Sequence, residues 1–170
     1  IELVTALIAR GQVSFETDVL QAKCGELNIQ AYEYNNYFSK ITSVNSYFKA
    51  NMELLDPANA SQLYLPKRSV YTKVSDNAPA KYDLNCSVKN SLIADGCIIE
   101  GEVENSVIFR GVKIGKNARV RNCILMQGTV VGDGAECNYL ITDKNVTIGS
   151  GHILTSAPTY PMYVAKGAGV

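Results

Sequence analysis

The sequence repeats one short phrase four times: Lys89-Asn90-Ser91-Leu92-Ile93, Glu104-Asn105-Ser106-Val107-Ile108, Arg121-Asn122-Cys123-Ile124-Leu125 and Cys137-Asn138-Tyr139-Leu140-Ile141. The four asparagines are 15, 17 and 16 residues apart. A period of this length, with an asparagine followed by aliphatic residues, is typical of a coiled repeat, because each turn buries its apolar side chains only by stacking on the next. We therefore predict a stacked coil over residues 85–153.

A finer period of six residues runs through this stretch, with a one-residue slip near the fourth phrase. Its aliphatic positions are Ile93, Ile99, Ile108, Ile114, Val120, Met126, Val131, Cys137 and Ile148. A second set follows four residues after these positions, and we expect it to point inward as well: Cys97, Val103, Val112, Ala118, Ile124, Val130, Ala135 and Ile141. Six residues form one short strand and one corner, so three steps close a triangular coil of ~18 residues. This pattern predicts a left-handed parallel β-helix built from hexapeptide repeats, with about four coils.

Glycine and asparagine are concentrated where the corners of these coils are expected. Most of the 13 glycines lie in this stretch, which argues against a helix because glycine is a poor helix former. We expect the corner residues to adopt left-handed backbone conformations. The alternative fold, an antiparallel sandwich, would not keep the six-residue spacing through consecutive steps.

Composition narrows the possible function classes. The chain has 170 residues, 46% of them hydrophobic, and its 16 basic and 16 acidic residues cancel. This balance lacks the basic excess of a nucleic-acid binder. No run is long enough to span a membrane, and no signal peptide is recognisable, so we expect a cytoplasmic protein. The five cysteines contain no C-x-x-C pair and are expected to be buried as small apolar residues.

The chain before the coil combines helix and strand patterns. Helical signals lie at residues 3–8, after the potential cap Ser14, and from Ser43 to Asp56-Pro57. A period-two strand pattern lies at residues 27–34, and short strands are also expected at residues 37–41 and 69–74. We therefore predict an α+β segment over residues 1–64, a linker over 65–84 and a tail over 154–170. Because the chain begins at Ile1, within a helical pattern, we expect it to be part of a longer protein.

The sequence contains two candidate sites. His152 is the only histidine, so a zinc site built from three histidines is not expected, although His152 could be the general base of a hexapeptide acyltransferase. The densest basic group comprises Arg110, Lys113, Lys116, Arg119 and Arg121. This group is either a solvated outer face of the coil or an effector pocket for a phosphorylated metabolite.

Several segments resemble bacterial ADP-glucose pyrophosphorylase, that is, glucose-1-phosphate adenylyltransferase. They are Phe15-Glu16-Thr17-Asp18-Val19-Leu20, Ala31-Tyr32-Glu33-Tyr34-Asn35-Asn36-Tyr37-Phe38, Ser46-Tyr47-Phe48-Lys49-Ala50-Asn51-Met52-Glu53-Leu54-Leu55, Tyr71-Thr72-Lys73-Val74, Pro79-Ala80-Lys81-Tyr82 and Tyr160-Pro161-Met162-Tyr163-Val164-Ala165-Lys166-Gly167. That family makes ADP-glucose from ATP and glucose-1-phosphate for glycogen biosynthesis. The resemblance implies that the α+β segment ends a nucleotidyltransferase domain whose Gly-rich nucleotide-binding half lies outside this C-terminal portion.

The positions that depart from the catalytic pattern of this family include Ser14, Phe38 and Lys40. Ser14 stands where catalytic members carry the first Asp of Asp-Phe-Gly-Lys-Asp. Phe38 and Lys40 stand where they carry Trp and Asp in Gly-Tyr-Trp-x-Asp-x-Gly-Thr. In related enzymes that Asp helps to hold the Mg²⁺ of the reaction, and an ammonium group there would repel the ion.

The departures resemble the GlgD type, a non-catalytic regulatory subunit. The resemblance implies no catalytic residue and no cofactor in this part of the protein, with Mg²⁺ serving the family reaction. It implies partnership with a catalytic pyrophosphorylase subunit, with other copies of itself, or with both, and regulation by a phosphorylated metabolite. A catalytic subunit and, further off, a hexapeptide acyltransferase remain the alternatives.

Overall fold

A computed structural model describes residues 2–11, 14–68, 70–74 and 76–170. They divide into two compact units, one ending at Asn36 and the other running from Tyr37 to Val170. Among the described residues, no helix has both the length and the apolar character needed to cross a membrane.

The first unit contains two short helices at the predicted places. Helix α1 (Glu2–Ala9) is followed by Gly11, whose φ of 78° suits a helix C-terminus. The second helix, Phe15–Gln21, has π geometry and begins after Ser14. The Ser14 hydroxyl accepts a hydrogen bond from the Thr17 N–H at 3.3 Å, as expected of a helix N-cap. Both helix predictions are confirmed.

The strands predicted before the coil are absent from the described residues. Residues 28–35 and 37–42 have no regular structure, and residues 24–36 are all exposed. Residues 70–74 are likewise irregular, and Ser69, the first residue of that predicted strand, lies outside the described residues. The described part of residues 1–64 therefore contributes helices to the predicted α+β segment, and its strands are not seen there. A period-two pattern forms a strand only if another strand pairs with it, and no described residue pairs with these segments.

The second unit begins with two helices, one of which was not predicted. Helix α2 (Val44–Glu53) starts at Ser43, whose hydroxyl accepts from the Ser46 N–H while the Ser46 hydroxyl accepts from the Ser43 N–H. It ends at Glu53, short of the predicted end. Asp56 instead caps helix α3 (Pro57–Leu63), accepting a hydrogen bond from the Ala58 N–H at 2.9 Å. A proline after a capping Asp begins a helix as readily as it ends one.

Fifteen short strands then form three parallel five-stranded sheets. Sheet A contains β1 (Lys81–Tyr82), β4 (Ile98–Ile99), β7 (Lys113–Ile114), β10 (Val130–Val131) and β13 (Thr147–Ile148). Sheet B contains β2 (Ser87–Lys89), β5 (Glu102–Glu104), β8 (Arg119–Arg121), β11 (Glu136–Asn138) and β14 (Ile153–Thr155). Sheet C contains β3 (Leu92–Ile93), β6 (Val107–Ile108), β9 (Ile124–Leu125), β12 (Leu140–Thr142) and β15 (Met162–Val164).

The left-handed parallel β-helix is confirmed, and it extends beyond residues 85–153. The chain visits sheets A, B and C in turn, so three strands make one coil. Strands β2 to β13 are twelve strands, which make the four predicted coils. Strand β1 precedes the predicted stretch, and β15 with most of β14 follows it.

The coils are shorter than the expected three steps of six residues. Ile114 pairs with Val131, 17 residues later, whereas Ile99 pairs with Ile114 after only 15. In the 17-residue coil the missing residue lies at the corner between sheets B and C, where the inward residues Val120 and Leu125 are five positions apart. The 15-residue coil also lacks two residues at the corner between sheets A and B, where Ile99 and Val103 are four positions apart. The one-residue slip in the sequence is therefore a regular feature of the corner between sheets B and C.

This shorter step changes the orientation of four residues that were expected to point inward. Ile124 and Ile141 pack outside the coil in a cluster with Phe48, and Val130 is 36% exposed. Met126 is half-buried. The interior is filled instead by the residues just before these positions, which are Cys123, Leu125, Thr129 and Leu140. The other predicted inward residues from Cys97 to Ile148 are buried as expected.

Asparagines turn the chain at the corner between sheets B and C. Asn90, Asn105 and Asn122 have φ values of 42°, 47° and 50°. In the fourth phrase the left-handed residue is Tyr139, with a φ of 54°, and not Asn138. Asn138 lies at the end of β11, where its side-chain oxygen accepts a hydrogen bond from the Asn122 amide at 3.0 Å.

The glycines of the coil have two different roles. Gly134 has a φ of 69°, as predicted for a corner. Gly101, Gly115, Gly132 and Gly149 do not have positive φ, so that prediction is wrong for them. A Cβ added to Gly132 would lie 2.5 Å from the Ser150 backbone nitrogen in the next coil. Close approach of successive coils therefore requires glycine at this position.

Candidate functional site

Two of the five predicted basic residues lie on the outer face of sheet B. Arg119 pairs with Glu136 (Nη1 to Oε1, 3.1 Å) and lies 3.8 Å from Glu102. Arg121 lies 3.5 Å from Glu104 and 3.9 Å from Glu102. The parallel register produces these pairs, because it places Glu102, Arg119 and Glu136 in one row across the sheet. Both arginines therefore have carboxylate partners within the fold.

The outer face of sheet B has no net charge. Its basic side chains are Lys89, Arg119 and Arg121, and its acidic side chains are Glu102, Glu104 and Glu136. Three positive and three negative charges cancel. The side chains of these ion pairs are about half-exposed, so each pair stabilises the fold only weakly. This surface favours the solvated-face interpretation of the basic group.

The other three basic residues point to different parts of the coil. Lys113 is exposed on sheet A, and Lys116 lies at the corner between sheets A and B. Arg110 lies at the corner between sheets C and A, where its guanidinium donates to the Lys73 carbonyl at 2.8 Å. The fold thus distributes the five side chains over two faces and two corners and does not gather them around one cavity.

The segment with Phe38 and Lys40 is anchored by Tyr37, the residue just before Phe38. Tyr37 donates through its hydroxyl to Glu53 Oε2 at 3.1 Å, and its N–H donates to Gln62 Oε1 at 2.6 Å. Burial and the hydrogen bond to Glu53 raise the pKa of the Tyr37 hydroxyl. Phe38 and Lys40 themselves are exposed. The segment is therefore held to α2 and α3, and its Lys40 ammonium is presented to solvent.

The residues present do not fit a magnesium site. Ser14, in the first unit, is engaged as a helix cap. Within the described ranges, no three His, Cys, Asp or Glu side chains are grouped so that they could hold a metal ion. Lys40 carries a positive charge where the family motif places a carboxylate, and Mg²⁺ requires oxygen ligands. No step of a metal-assisted reaction is therefore derived for this chain.

His152 lies at an exposed corner of the last coil. Its carbonyl accepts from the Glu136 N–H at 2.8 Å, and its ring lies beside Gly149. No described side chain forms a hydrogen bond with the imidazole. A general base is normally oriented by such a partner, so this geometry does not favour the acyltransferase alternative.

Three cysteines are buried in the coil, as predicted. Burial raises the pKa values of the Cys97, Cys123 and Cys137 thiols, that of Cys137 to about 12. Cys24 is exposed and Cys86 is half-buried, so the prediction does not hold for Cys24. A protonated thiol in an apolar interior is unreactive, which makes the three buried cysteines packing residues.

Sequence reasoning missed the surface where helix α2 packs on sheet C. Phe48 lies against the outer aliphatic row of the sheet, together with Ile124 and Ile141, which are 0% and 2% exposed. Phe48 also contacts the Tyr139 ring, with centroids 6.2 Å apart. The available signal was the phrase itself, since two consecutive aliphatic residues on a strand must point to opposite faces. The α2 helix and the β-helix therefore share a buried interface.

The sequence comparisons match this architecture. Residues 76–158 match the family model described as GlmU-like, C-terminal hexapeptide. The glycogen biosynthesis protein GlgD of Bacillus subtilis is 45% identical over 150 residues, which is 88% of this chain and 44% of that protein. Over most of its length, the chain is therefore similar to this GlgD protein.

Two further relatives are similar over shorter stretches. GlgD of Geobacillus stearothermophilus is 58% identical over 71 residues, covering 42% of this chain and 21% of that protein. Glucose-1-phosphate adenylyltransferase of Clostridium acetobutylicum is 41% identical over 90 residues, covering 52% of this chain and 23% of that enzyme. The chain spans less than half the length of the relatives it matches.

Proposed function

We propose that this chain is the regulatory and assembly portion of a glucose-1-phosphate adenylyltransferase system in glycogen biosynthesis, in a GlgD-type subunit that is not itself catalytic. The observation that carries the proposal is the similarity to GlgD over 88% of the chain, combined with Lys40 at the motif position of a metal-binding carboxylate. The higher identity to GlgD than to the adenylyltransferases agrees with this choice.

The packing of α2 supports a role in transmitting a signal. Tyr37 and the two helices belong to the same compact unit as the β-helix. Phe48 packs α2 against the outer row of sheet C. Tyr37 links the motif segment, residues 37–41, to α2 through its hydrogen bond to Glu53. An event on the β-helix would therefore reach the motif segment through packed side chains and one hydrogen bond, without crossing a flexible linker.

The proposed partners are a catalytic pyrophosphorylase subunit and other copies of this chain, in the cytoplasm. Exposed apolar side chains on the motif segment, such as Phe38 and Ile41, are 75% and 57% exposed and would be covered in such an assembly. A phosphorylated metabolite would act as effector, and Mg²⁺ would serve the reaction in the partner. Because the five basic residues do not converge, we place the effector site outside that group.

The test uses the full-length protein that contains this chain, purified with and without the catalytic subunit. We expect no Mg²⁺-dependent pyrophosphate release from ATP and glucose-1-phosphate by the full-length protein alone. We also expect a complex with the catalytic subunit in size-exclusion chromatography with light scattering, and a changed kcat/KM or effector response for that subunit.

Two outcomes would contradict the proposal. Pyrophosphate release by the protein alone, at a rate comparable with the catalytic subunit, would favour the catalytic alternative. Absence of any complex and of any change in the catalytic subunit's kinetics would remove the regulatory role. The variant Lys40→Asp serves as a control, because it restores one carboxylate but supplies no other ligand and should remain inactive.

A further inference from the structure

The corner between sheets B and C is longer in the last coil than in the coils before it. Between sheets B and C the first three coils turn with two residues and the fourth with one, whereas residues 156–161 separate β14 from β15. This loop is folded on itself, since Ser156 donates through its hydroxyl to the Tyr160 carbonyl and Ala157 bridges to Tyr160. It therefore forms a structured wall beside the coil.

A cavity of about 520 Å³ lies between this loop and the start of helix α2. Ser43, Val44 and Asn45 form one side, and residues Ser156 and 160–163 form the other. The volume falls in the range of about 300–1,000 Å³ that is usual for small-molecule sites. All of these residues belong to the second compact unit.

The lining combines aromatic rings with neutral hydrogen-bonding groups. Tyr160 and Tyr163 are 79% and 52% exposed, so their rings are accessible. Within the described residues, the Asn45 amide and the Tyr160 hydroxyl have no hydrogen-bond partner. An aromatic ring offers a flat apolar surface, and amide and hydroxyl groups satisfy the hydroxyls of a ligand.

Charge in and behind the cavity disfavours an anionic ligand. None of the residues lining it is charged. The Tyr163 hydroxyl donates to Asp143 Oδ2 at 3.0 Å, so a carboxylate stands behind this wall. A phosphate would find no arginine or lysine here and would approach a negative group. A neutral ligand rich in hydroxyls, with apolar C–H faces, matches the lining better.

We propose that this cavity binds a neutral oligosaccharide, with Tyr160 stacking on a sugar ring and Asn45 hydrogen-bonding to its hydroxyls. This binding is separate from the regulatory proposal and does not require it. If both proposals hold, this chain would bind a neutral oligosaccharide at the cavity in addition to any phosphorylated effector elsewhere.

The test is titration of the full-length protein that contains this chain with maltotriose. Isothermal calorimetry measures the binding, and two-dimensional NMR of the backbone amides locates it. We expect saturable binding, with shifts confined to the residues around Asn45, Ser156 and Tyr160. Tyr160→Ala should weaken the affinity about tenfold by removing the stacking surface. Tyr71→Ala removes a tyrosine that is 95% exposed elsewhere and should leave the affinity unchanged.

Asn45→Ala provides a second variant, because it removes hydrogen-bonding groups and leaves the loop intact. Far-UV circular dichroism of each variant checks that the fold is retained. The proposal is overturned if maltotriose does not saturate the wild-type chain, or if Tyr160→Ala binds as tightly as wild type. It is also overturned if inorganic phosphate displaces maltotriose from this cavity, because the site would then be an anion site. None of these readouts depends on adenylyl transfer, so failure here leaves the regulatory proposal to its own test.

Discussion

Residues 24–41 and the β-helix both contain alternating apolar side chains, but only the β-helix buries them. Ile29 and Phe38 are 42% and 75% exposed, whereas Ile99 and Ile114 are 0% and 1% exposed. The repeat supplies its own pairing partner one coil later, while residues 24–41 have none among the described residues. An alternating pattern therefore specifies a strand only together with a neighbouring strand.

Helix α2 is intermediate between these two regions. It has its own capping box, which favours a helix start at Ser43. Its packing, however, depends on the outer row of sheet C, where Ile124 and Ile141 are covered by it. This dependence can be measured by substituting residues of the same row that do and do not lie under the helix. The losses in the free energy of unfolding are then compared.

The largest effect is expected for Ile124→Ala. Ile124 is completely buried beneath α2, so the substitution should lower the free energy of unfolding by about 3 kcal/mol. Leu92→Ala is the matched control, because Leu92 occupies the same outer row but is 48% exposed. Its loss should be about 1 kcal/mol or less. Urea unfolding followed by circular dichroism measures both, and equal losses would show that α2 does not cover this row in solution.

Gly132→Ala should be nearly as destabilising, by about 2–3 kcal/mol, since its Cβ would meet the backbone of the next coil. Gly134→Ala, two residues later, meets no atom within 4 Å but requires a left-handed φ. This substitution should lower the free energy of unfolding by only about 1 kcal/mol. Thermal unfolding distinguishes the two variants. The reverse order would mean that backbone conformation, and not coil spacing, limits this corner.

Cys137 predicts a pH dependence of stability inside the coil. Burial raises its pKa to about 12 in the folded protein, whereas an unfolded thiol ionises near pH 8.5. Above that pH the unfolded state loses a proton that the folded state keeps, so stability falls as pH rises towards 12. The contribution is at most about 1.4 kcal/mol per pH unit.

The measurement is the free energy of unfolding from pH 8 to pH 11 for wild type and Cys137→Val. The variant should show a smaller decline, because other groups titrate equally in both proteins. Cys24→Val, at an exposed cysteine, should decline as wild type does. Parallel curves for wild type and Cys137→Val would exclude this thiol as the cause.

Substitution of Tyr139 should change the free energy of unfolding less, because two contributions to stability at this residue oppose each other. Its left-handed φ costs about 1 kcal/mol, and its ring contact with Phe48 returns a similar amount. Tyr139→Asn should therefore be nearly neutral in wild type, but should stabilise the Phe48→Ala protein by about 1 kcal/mol. A double-mutant cycle measures this difference. If Tyr139→Asn has the same effect in both backgrounds, the ring contact does not offset the strain.

The smallest effect on stability is expected at the exposed motif segment. Phe38→Ser and Ile41→Ser should change the free energy of unfolding by less than about 0.5 kcal/mol each. They should, however, reduce self-association of the chain, because they remove exposed apolar surface. Sedimentation velocity at increasing protein concentration measures this. A large loss of stability would show that these residues pack in solution as the β-helix residues do.

The repeat made the β-helix predictable, including its four coils over residues 85–153. The orientation of single residues was less predictable, because one five-residue step in each coil reverses the assignment of Ile124 and Ile141. The helix starts at Ser14 and Ser43 were predictable from local capping chemistry. The absence of the strands predicted before the coil was not predictable, because a strand depends on a pairing partner that is not encoded locally.

The candidate site was also only partly predictable from the sequence. The departures at Ser14, Phe38 and Lys40 were visible in the sequence, since they are changes of residue type against a family pattern. The dispersal of Arg110, Lys113, Lys116, Arg119 and Arg121 was not visible, because residues close in sequence turn to different faces of a triangular coil. The cavity beside Tyr160 was also invisible, since it joins residues more than 100 positions apart.

The sequence by itself determined the repeat and the coil, because a periodic pattern specifies both a strand and its partner. Its segments outside and inside the coil also carried the similarity to GlgD. Only the tertiary structure decided which aliphatic residues face outward, which arginines are paired with carboxylates and which corner is enlarged into a cavity. Those outcomes depend on the register between coils and on the packing of α2, and both arise from contacts between residues that are distant in the chain.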